Sequence, residues 1–189
     1  TSCGPNQSAN GNGTCQAAVP DFTAGVSATD NCTASGFLTK TQSPLVGTMV
    51  GLGPHNITVT VKDASGNPST CTATFTVHDI TAPTVVTKNI DVNLDTTGHA
   101  TILATDVDGG TTDACGPISL SIDKSSFTCL NLGPNTVKLT ATDGSLNSAS
   151  ADATVTVHDV TAPTLVTKNI DVDLDATGHA TIVAGDVDG

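Results

Sequence analysis

Hydrophobic and polar residues alternate along several short stretches of this chain. Between residues 56 and 62, the side chains of Ile57, Val59 and Val61 alternate with polar ones, and residues 72–78 show the same period of two. Side chains two positions apart lie on the same face of an extended strand. The pattern therefore predicts β-strands with one buried face and one face in solvent.

Turn-forming residues separate these strands at short intervals. Residues 63–69 include Asp, Gly, Asn and Pro and are predicted to join the first pair of strands as a hairpin. A second copy of this hairpin surrounds residues 143–147, and the turn that starts at Asp95 predicts a further hairpin between strands at 90–94 and 100–103. Roughly seven short strands per repeat predict an all-β fold of two-sheet sandwiches of the immunoglobulin type.

The composition agrees with this fold and excludes several functions. All 18 acidic residues are Asp, all 6 basic residues are Lys, and the net charge is −12. The scarcity of strong helix formers disfavours long helices, and the acidic charge argues against nucleic-acid binding. No apolar run is long enough to span a membrane. Because the chain begins with Thr and carries no signal peptide, we expect it to be a mature or excised form.

The chain contains an internal repeat with a constant offset. Residues 80–103 match residues 160–183, and the motif LGP that begins at Leu52 recurs at Leu132. We therefore divide the chain into a first repeat (residues 1–79), a second repeat (80–159) and a third segment (160–189) that covers only part of a repeat.

The third segment is too short to bury a hydrophobic face alone. We expect it to be part of a longer array, and the alternative is that a partner completes it. Pro83 and Pro163 follow the last strand of each repeat, and their fixed φ is expected to make the junctions semi-rigid.

Several motifs resemble those of a known extracellular module. The first repeat contains CGPNQ, ATDNC, LGPHNITVTVKDASGN and STCTATFTVHD, and it resembles the hyalin-repeat (HYR) domain. The second repeat contains VTKNIDVNLD, TTDACG and SSFTCLNLGPNTV, and it is similar to repeats found in tandem in very large surface and adhesin-like proteins of Bacteroidota. The resemblance implies an immunoglobulin-like sandwich, secretion, and a role in adhesion or spacing without catalytic activity.

Six cysteines indicate an oxidising, extracytoplasmic compartment. The second repeat lacks counterparts of both Cys3 and Cys71, as expected of a bonded pair, and in HYR-like domains the opening cysteine lies beside the last strand. We therefore expect a Cys3–Cys71 bond. The remaining pairs are then Cys15–Cys32 and Cys115–Cys129, with Cys129 at the position of Met49 in the first repeat.

The histidines do not indicate an enzyme. Two pairs are repeat copies, and each histidine lies at a strand end or beside a turn residue; they are His55, His78, His99, His158 and His179. A catalytic residue copied in every repeat of an array would be unusual. We expect no enzymatic activity and no catalytic residue.

Clustered aspartates make calcium the one candidate cofactor, although none is required. Asp106 and Asp108 lie in a loop motif that recurs in the third segment, and they are the predicted metal ligands. Asp79 and Asp159 lie at the junctions, where an ion would stiffen the joint. The competing interpretation is that these aspartates form turns and keep the chain soluble. An EF-hand is excluded because its spacing and its final Glu are absent.

Modification sites are weaker candidates. Four N-glycosylation sequons begin at Asn6, Asn12, Asn31 and Asn56. Thr96 lies in a short motif that resembles the O-glycosylation pattern of Bacteroidota, and it is the predicted modified residue.

The preferred hypothesis is a structural and adhesive stalk segment of a long secreted or surface-anchored repeat protein. Its expected partners are neighbouring repeats, further copies in a fibre, or surface glycans. One alternative is a short subunit whose third segment docks into a neighbouring chain to build a filament by strand addition. Another is an accessory binding module of a secreted enzyme, which the absence of Trp and Tyr disfavours.

Overall fold

The structure is a computed structural model that describes residues 3–189, and it confirms the all-β prediction. Each of the first two repeats contains one four-stranded sheet and one two-stranded sheet. The buried residues lie between the two sheets of each repeat, as in an immunoglobulin-like sandwich. Among the described residues, no helix is long and apolar enough to cross a membrane.

The first repeat contains six strands in its described part. They are β1 (Gln7–Asn10), β2 (Ala17–Ala18), β3 (Thr39–Ser43), β4 (Met49–Val50), β5 (Gly53–Lys62) and β6 (Pro68–His78). The four-stranded sheet has the order β1-β6-β5-β3, and β2 pairs with β4. A short 3-10 helix, Ser35–Phe37, precedes β3.

The second repeat has the same topology. Its strands are β7 (Ile90–Asn93), β8 (His99–Thr101), β9 (Ile118–Ile122), β10 (Ser126–Thr128), β11 (Gly133–Asp143) and β12 (Ser148–His158). The sheets have the orders β7-β12-β11-β9 and β10-β8, and 3-10 helices lie at Ala104–Asp106 and Cys129–Asn131.

The third segment contains little regular structure among the described residues. It has one 3-10 helix, Ala184–Asp186, and an isolated bridge between Thr167 and Asp188. Residues 170–173, which match β7 in sequence, have no strand beside them. Nearly all of its side chains are exposed.

Two long antiparallel hairpins form the centre of the sandwiches. β5 and β6 pair continuously from Gly53, opposite Val77, to Lys62, opposite Pro68. The carboxylate of Asp63 closes their turn by accepting a hydrogen bond from the backbone N–H of Asn67 at 2.8 Å. β11 and β12 form the equivalent hairpin. Both hairpins agree with the predicted strands.

The predicted hairpin around Asp95 is wrong. β7 pairs in parallel with β12, whereas β8 pairs with β10 in the other sheet. The turn at residues 95–98 therefore carries the chain from one sheet to the other. Local periodicity identified both strands but not their partners, because four other strands lie between β7 and its partner in the sequence.

The hairpins supply most of each hydrophobic core. In the first repeat, Ile57, Val59 and Phe75 are buried and pack with Val19 and Phe22 from the segment after β2. The second repeat uses equivalent residues of β11 and β12, with Phe127 from β10. The alternating residues that predicted the strands are therefore the residues that hold the two sheets together.

The offset between equivalent residues changes within the repeats. Gln7 pairs with Phe75 in the first repeat, and Ile90 pairs with Val155 in the second. Phe75 and Val155 are separated by the same number of positions as the matching sequence motifs. Gln7 and Ile90 are separated by three positions more. Equivalent positions near the start of these two repeats are therefore related by a larger offset than those near the end.

A turn held by one side-chain oxygen recurs in all three units. Oδ1 of Asn12 accepts hydrogen bonds from the backbone N–H groups of Thr14 and Gln16, at 2.9 and 3.2 Å. Oδ1 of Asp95 accepts the N–H groups of Thr97 and His99, at 2.8 and 3.1 Å. Asp175 forms the same bonds in the third segment. We call these Asx turns.

Ionisation strengthens the second of these turns. The hydroxyl of Thr97 and the N–H groups of His99 and Thr97 donate to the Asp95 carboxylate, and they hold the pKa of Asp95 below its ordinary value. A carboxyl whose folded pKa is lowered stabilises the protein above its unfolded pKa, and this contribution is lost as the pH falls through the folded pKa.

We predict that Asp95→Asn reduces the acid sensitivity of the second repeat. Asn12 shows that an amide oxygen holds the same turn, so the variant should fold while lacking the titrating group. The wild type should be the more stable protein at neutral pH, and its advantage should begin to decrease as the pH falls below about 4 and vanish only below the lowered pKa of Asp95. Urea unfolding of both proteins across this pH range measures the difference. A difference that does not change with pH would contradict the role of ionisation, and Asp95→Ala controls for loss of the turn itself.

Candidate functional site at the junction of the repeats

A disulfide bond joins the first two repeats. Cys15 lies in the Asx turn after β1, and Cys115 lies in the loop before β9. Their Cα atoms are 5.3 Å apart, although the residues are separated by 100 positions in the sequence. Because the two cysteines belong to different repeats, the bond crosses the junction.

This pairing corrects two of the three expected disulfides. The structure contains the Cys3–Cys71 bond, with Cα atoms 5.7 Å apart. The expected Cys15–Cys32 and Cys115–Cys129 bonds are wrong, because Cys15 is bonded to Cys115. Cys32 and Cys129 are exposed free thiols.

The length of the hairpins explains why those pairs do not form. Cys15 lies at the end of the first repeat where β5 begins, beside Gly11, whose N–H donates to His78. Cys32 lies at the opposite end, next to Thr33, which accepts the N–H of Ala64 in the turn after β5. A strand of this length spans about 30 Å, far beyond the reach of a disulfide.

The same separation holds in the second repeat. Cys129 precedes the start of β11, whereas the loop of Cys115 leads into β9, whose first residue, Ile118, pairs with Asp143 at the end of β11. Each repeat therefore carries cysteines at opposite ends of its long hairpin.

Two carboxylates lie beside the junction disulfide. Single side-chain atoms of Asp79, Asp113 and Cys115 lie within 4.8 Å of one another. Oδ1 of Asp113 accepts the N–H of Cys115 at 2.6 Å, and Oδ1 of Asp79 accepts the N–H of Thr81 at 2.9 Å. Oδ2 of Asp113 is buried and has no hydrogen-bond partner among the described residues. The sulfur of Cys115 is already bonded, so it offers no thiolate to a metal.

The turn of the second hairpin also contacts the connection between the repeats. Nδ2 of Asn147 donates to the backbone carbonyl of Asp79 at 3.3 Å and to the carboxylate of Asp143 at 2.8 Å. Asp143 is only 5% exposed. Burial opposes its ionisation, but hydrogen bonds from Asn147 and Ser145 outweigh burial and hold the pKa of Asp143 below its ordinary value. The junction therefore combines a covalent bond with a hydrogen-bonded contact.

The predicted calcium ligands form bonds within their own loop. Asp106 accepts the N–H of Leu103 at 2.8 Å, and Asp108 accepts the N–H of Thr111 at 2.8 Å. Hydrogen bonds from Thr111 lower the pKa of Asp108. Among residues 3–189, neither aspartate belongs to a group of three side chains close enough to hold one ion. Calcium binding at Asp106 and Asp108 stays a prediction.

The other predicted residues also lie in local structure. Thr96 is exposed at the tip of its Asx turn, and its modification stays a prediction. His158 bonds to Asp91 at 3.0 Å, and His55 lies 2.7 Å from the carbonyl of Gly51. His99 lies 3.2 Å from the hydroxyl of Thr97 within its turn. These contacts connect His55, His99 and His158 to neighbouring turns and strands.

The sequence contains a signal for the junction that a uniform offset hides. Asp30-Asn31-Cys32 and Asp113-Ala114-Cys115 are equivalent loops, and they follow the larger offset that relates β1 to β7. At the same offset, Cys15 is equivalent to Gly98. Aligning the Asx turns would have shown that Cys15 and Cys32 occupy two different kinds of position.

Comparisons with known proteins give structural neighbours of low similarity and no family. No family model matches the sequence, and no curated protein matches it. Human mucin-like protocadherin EC1-2 is 10% identical, with a TM-score of 0.44 over 84% of this chain and 98% of that one. A three-immunoglobulin-domain structure of titin is 8% identical, with a TM-score of 0.38 over 82% and 63%.

A third neighbour is a bacterial structure. The fibronectin(III)-like modules of Clostridium thermocellum CbhA are 9% identical, with a TM-score of 0.31 over 82% of this chain and 91% of that one. All three are chains of immunoglobulin-like, cadherin or fibronectin III β-sandwich domains. With TM-scores below 0.5, these similarities support no conclusion about this chain.

The junction disulfide predicts a specific pattern of thiol reactivity. In the unreduced, denatured protein, iodoacetamide should label Cys32 and Cys129 and none of the other cysteines. Peptide mapping by mass spectrometry should recover a cross-linked peptide that contains Cys15 and Cys115. If Cys15 were bonded to Cys32 and Cys115 to Cys129, no cysteine would be labelled, and this result would refute the junction bond.

Proposed function

We propose that this chain is a segment of an extracellular tandem-repeat protein, in which it forms a semi-rigid stalk that supports adhesion. The observation that carries the proposal is the Cys15–Cys115 bond. A disulfide inside one repeat stabilises that repeat alone, whereas a disulfide between repeats holds their relative orientation. Such a bond is useful to a protein whose function depends on keeping its repeats in line.

Three features support a stiff junction. The disulfide joins the turn of the first repeat to a loop of the second. Asn147 bonds to the backbone of Asp79, and Pro83 restricts the chain that follows. In the chain-entropy model, closing a loop of this length stabilises the folded state by about 4.7 kcal/mol. Domains joined by a short peptide without such bonds are expected to move relative to each other.

An extracellular location suits both the bonds and the charge. Disulfides persist in oxidising compartments, and the described part of this chain contains two of them. The net charge of −12 repels parallel copies of the chain and favours solubility. The motifs of the first repeat support an HYR-type module, and those of the second support a surface protein of the Bacteroidota type.

The filament-subunit hypothesis is the principal competitor. It requires the third segment to receive strands from a neighbouring chain, since residues 170–173 have no strand beside them. The two hypotheses differ in the mass of the native polypeptide. A native mass far above that of these 189 residues would support the stalk, whereas an equal mass would favour the subunit.

We predict that the junction disulfide limits bending between the repeats. Replacing both partners, Cys15→Ser with Cys115→Ser, should broaden the distribution of interatomic distances in small-angle X-ray scattering, because only the linker and the Asn147 contact remain.

The matched control replaces the two free thiols, Cys32→Ser with Cys129→Ser, and should scatter like the wild type. The proposal requires a difference between the two double variants. Identical distance distributions in all three proteins would show that the disulfide does not stiffen the junction.

A further inference from the structure

We infer that Cys129 is half of a second inter-repeat disulfide, and that its partner is the cysteine of an Asp-x-Cys loop in the repeat unit that follows it. By the same reasoning, Cys32 forms a disulfide with the turn-side cysteine of a preceding unit. We use this term for the cysteine that lies in or beside the Asx turn, such as Cys15 or Cys129. This inference rests on the proposal that the chain belongs to a repeat array. It assigns a function to the two cysteines that are free in the structure.

Cys129 occupies the place that Cys15 occupies in the first repeat. Gly98 is the equivalent of Cys15, and both residues have left-handed backbone conformations, with φ of 79° and 63°. A Cβ atom added to Gly98 would lie 2.9 Å from Sγ of Cys129. The sulfur of Cys129 therefore lies against the space that the side chain of a cysteine at position 98 would enter.

The two repeats use alternative solutions to the same geometry. In the first repeat, the cysteine of this end lies in the turn itself, at Cys15. In the second, Gly98 lies in the turn, and Cys129 directly follows β10, the strand that pairs with β8. The expected equivalence of Cys129 and Met49 is wrong, because the strand register places Ser126 at the position of Met49. A side chain at Gly98 would collide with Cys129, so one sulfur can occupy this place at a time. Each repeat presents one cysteine at this end.

The surface around Cys129 resembles the first junction, except that no Asp-x-Cys loop lies on it. Cys129 lines an open depression together with the turn at residues 95–98 and the connection that contains Asp159 and Pro163. At the first junction, Asp79, the equivalent of Asp159, lies beside Asp113 and Cys115. The Asp-x-Cys loop of a following unit is therefore the segment that would fill the depression.

Exposure at the same end supports docking of a further unit. Leu132 is 51% exposed, whereas its equivalent Leu52 is half-buried and packs against the core of the first repeat. The third segment forms hydrogen bonds to its own residues, such as that from Lys168 to Val187, and it leaves this end uncovered. Residues 160–189 match residues 80–109 of the second repeat, and the Asp-x-Cys loop of the second repeat lies beyond that range, at residues 113–115.

Cys32 has the complementary geometry. Oδ1 of Asp30 accepts the N–H of Cys32 at 3.0 Å, as Oδ1 of Asp113 accepts that of Cys115 at 2.6 Å. The loop lies at the opposite end of the first repeat from Cys15, and Cys32 is exposed. A repeat thus carries one turn-side cysteine and one loop cysteine, which is the arrangement that a head-to-tail series of disulfides requires.

The bond forms by thiol–disulfide exchange with a low-molecular-weight disulfide such as oxidised glutathione. The Cys129 thiolate attacks this disulfide, forms a mixed disulfide and expels one glutathione thiolate. The loop thiolate then attacks the Cys129 sulfur and expels the second. Two protein thiols are oxidised, one glutathione disulfide is reduced to two glutathiones, and the two cysteine protons pass to those products.

The test lengthens the full chain at its C-terminus by a second copy of residues 110–159, in which the copied Cys129 is replaced by Ser. The added residues complete the third unit and supply a copied Asp113-Ala114-Cys115 loop. After oxidation in a glutathione redox buffer, free thiols are labelled with iodoacetamide and the cysteines are mapped by mass spectrometry. The unaltered chain is treated in parallel.

We expect Cys129 to be labelled in the unaltered chain and to lose its labelling in the lengthened one, where it is recovered in a peptide linked to the copied Cys115. Cys32 should stay labelled in both proteins. Replacing Cys129 by Ser in the lengthened chain should restore labelling of the copied Cys115. If both thiols remain labelled, or if Cys129 is linked to the original Cys115, the inference is wrong.

A second variant separates failure of the third unit from failure of the geometry. Gly98→Cys combined with Cys129→Ala moves the cysteine of the lengthened chain into the turn, as in the first repeat, and removes the sulfur that it would contact. If this variant forms the bond and the Cys129 protein does not, then the third unit docks and Cys129 is misplaced, which overturns the inference. If neither forms it, the junction is not repeated, which also overturns it. Neither outcome changes the scattering or mass tests of the stalk proposal.

Discussion

The long hairpin of each repeat is the constraint on which the rest of the structure depends. β5 with β6, and β11 with β12, extend from one end of a repeat to the other and carry most of its buried side chains. The same strands separate the Asx turn from the Asp-x-Cys loop by about 30 Å. Cysteines in those two places therefore cannot meet within one repeat, and they are free to meet across a junction.

The first strand of each repeat positions the junction cysteine. β1 pairs in parallel with β6 and ends beside His78, so the Asx turn that follows lies next to the connection into the second repeat. The side-chain oxygen of Asn12 holds that turn, and Cys15 projects from it toward Cys115. A backbone pairing inside the first repeat thus determines where the bond to the second repeat forms.

The junction contains polar groups with unequal environments. Asp143 is buried and fully supported by hydrogen bonds, whereas Oδ2 of Asp113 is buried without a partner among the described residues. An unpartnered buried carboxylate oxygen is costly, and the adjacent disulfide keeps the loop in place despite that cost. The covalent bond and the polar contacts therefore act together at this interface.

Many features of this protein were determined by its sequence alone. Alternating residues such as Ile57, Val59 and Val61 predicted the long strands, because the same side chains that alternate must be buried between the sheets. The composition predicted an all-β chain, and the internal repeat predicted the second copy of the long hairpin. These properties follow from local pattern or from repetition, and both can be read directly from the amino-acid sequence.

Only the tertiary structure decided the partners of β7 and β8 and the partners of the cysteines. β7 pairs with β12 across four intervening strands, and Cys15 bonds to a residue 100 positions away. Such pairings depend on which ends of the hairpins come together in space, and no periodicity records that. The shift of three positions in the offset between the repeats concealed the equivalence of Cys15 and Gly98 until the paired strands were aligned. Sequence therefore determined what each repeat is, and the arrangement of the repeats determined how they are joined.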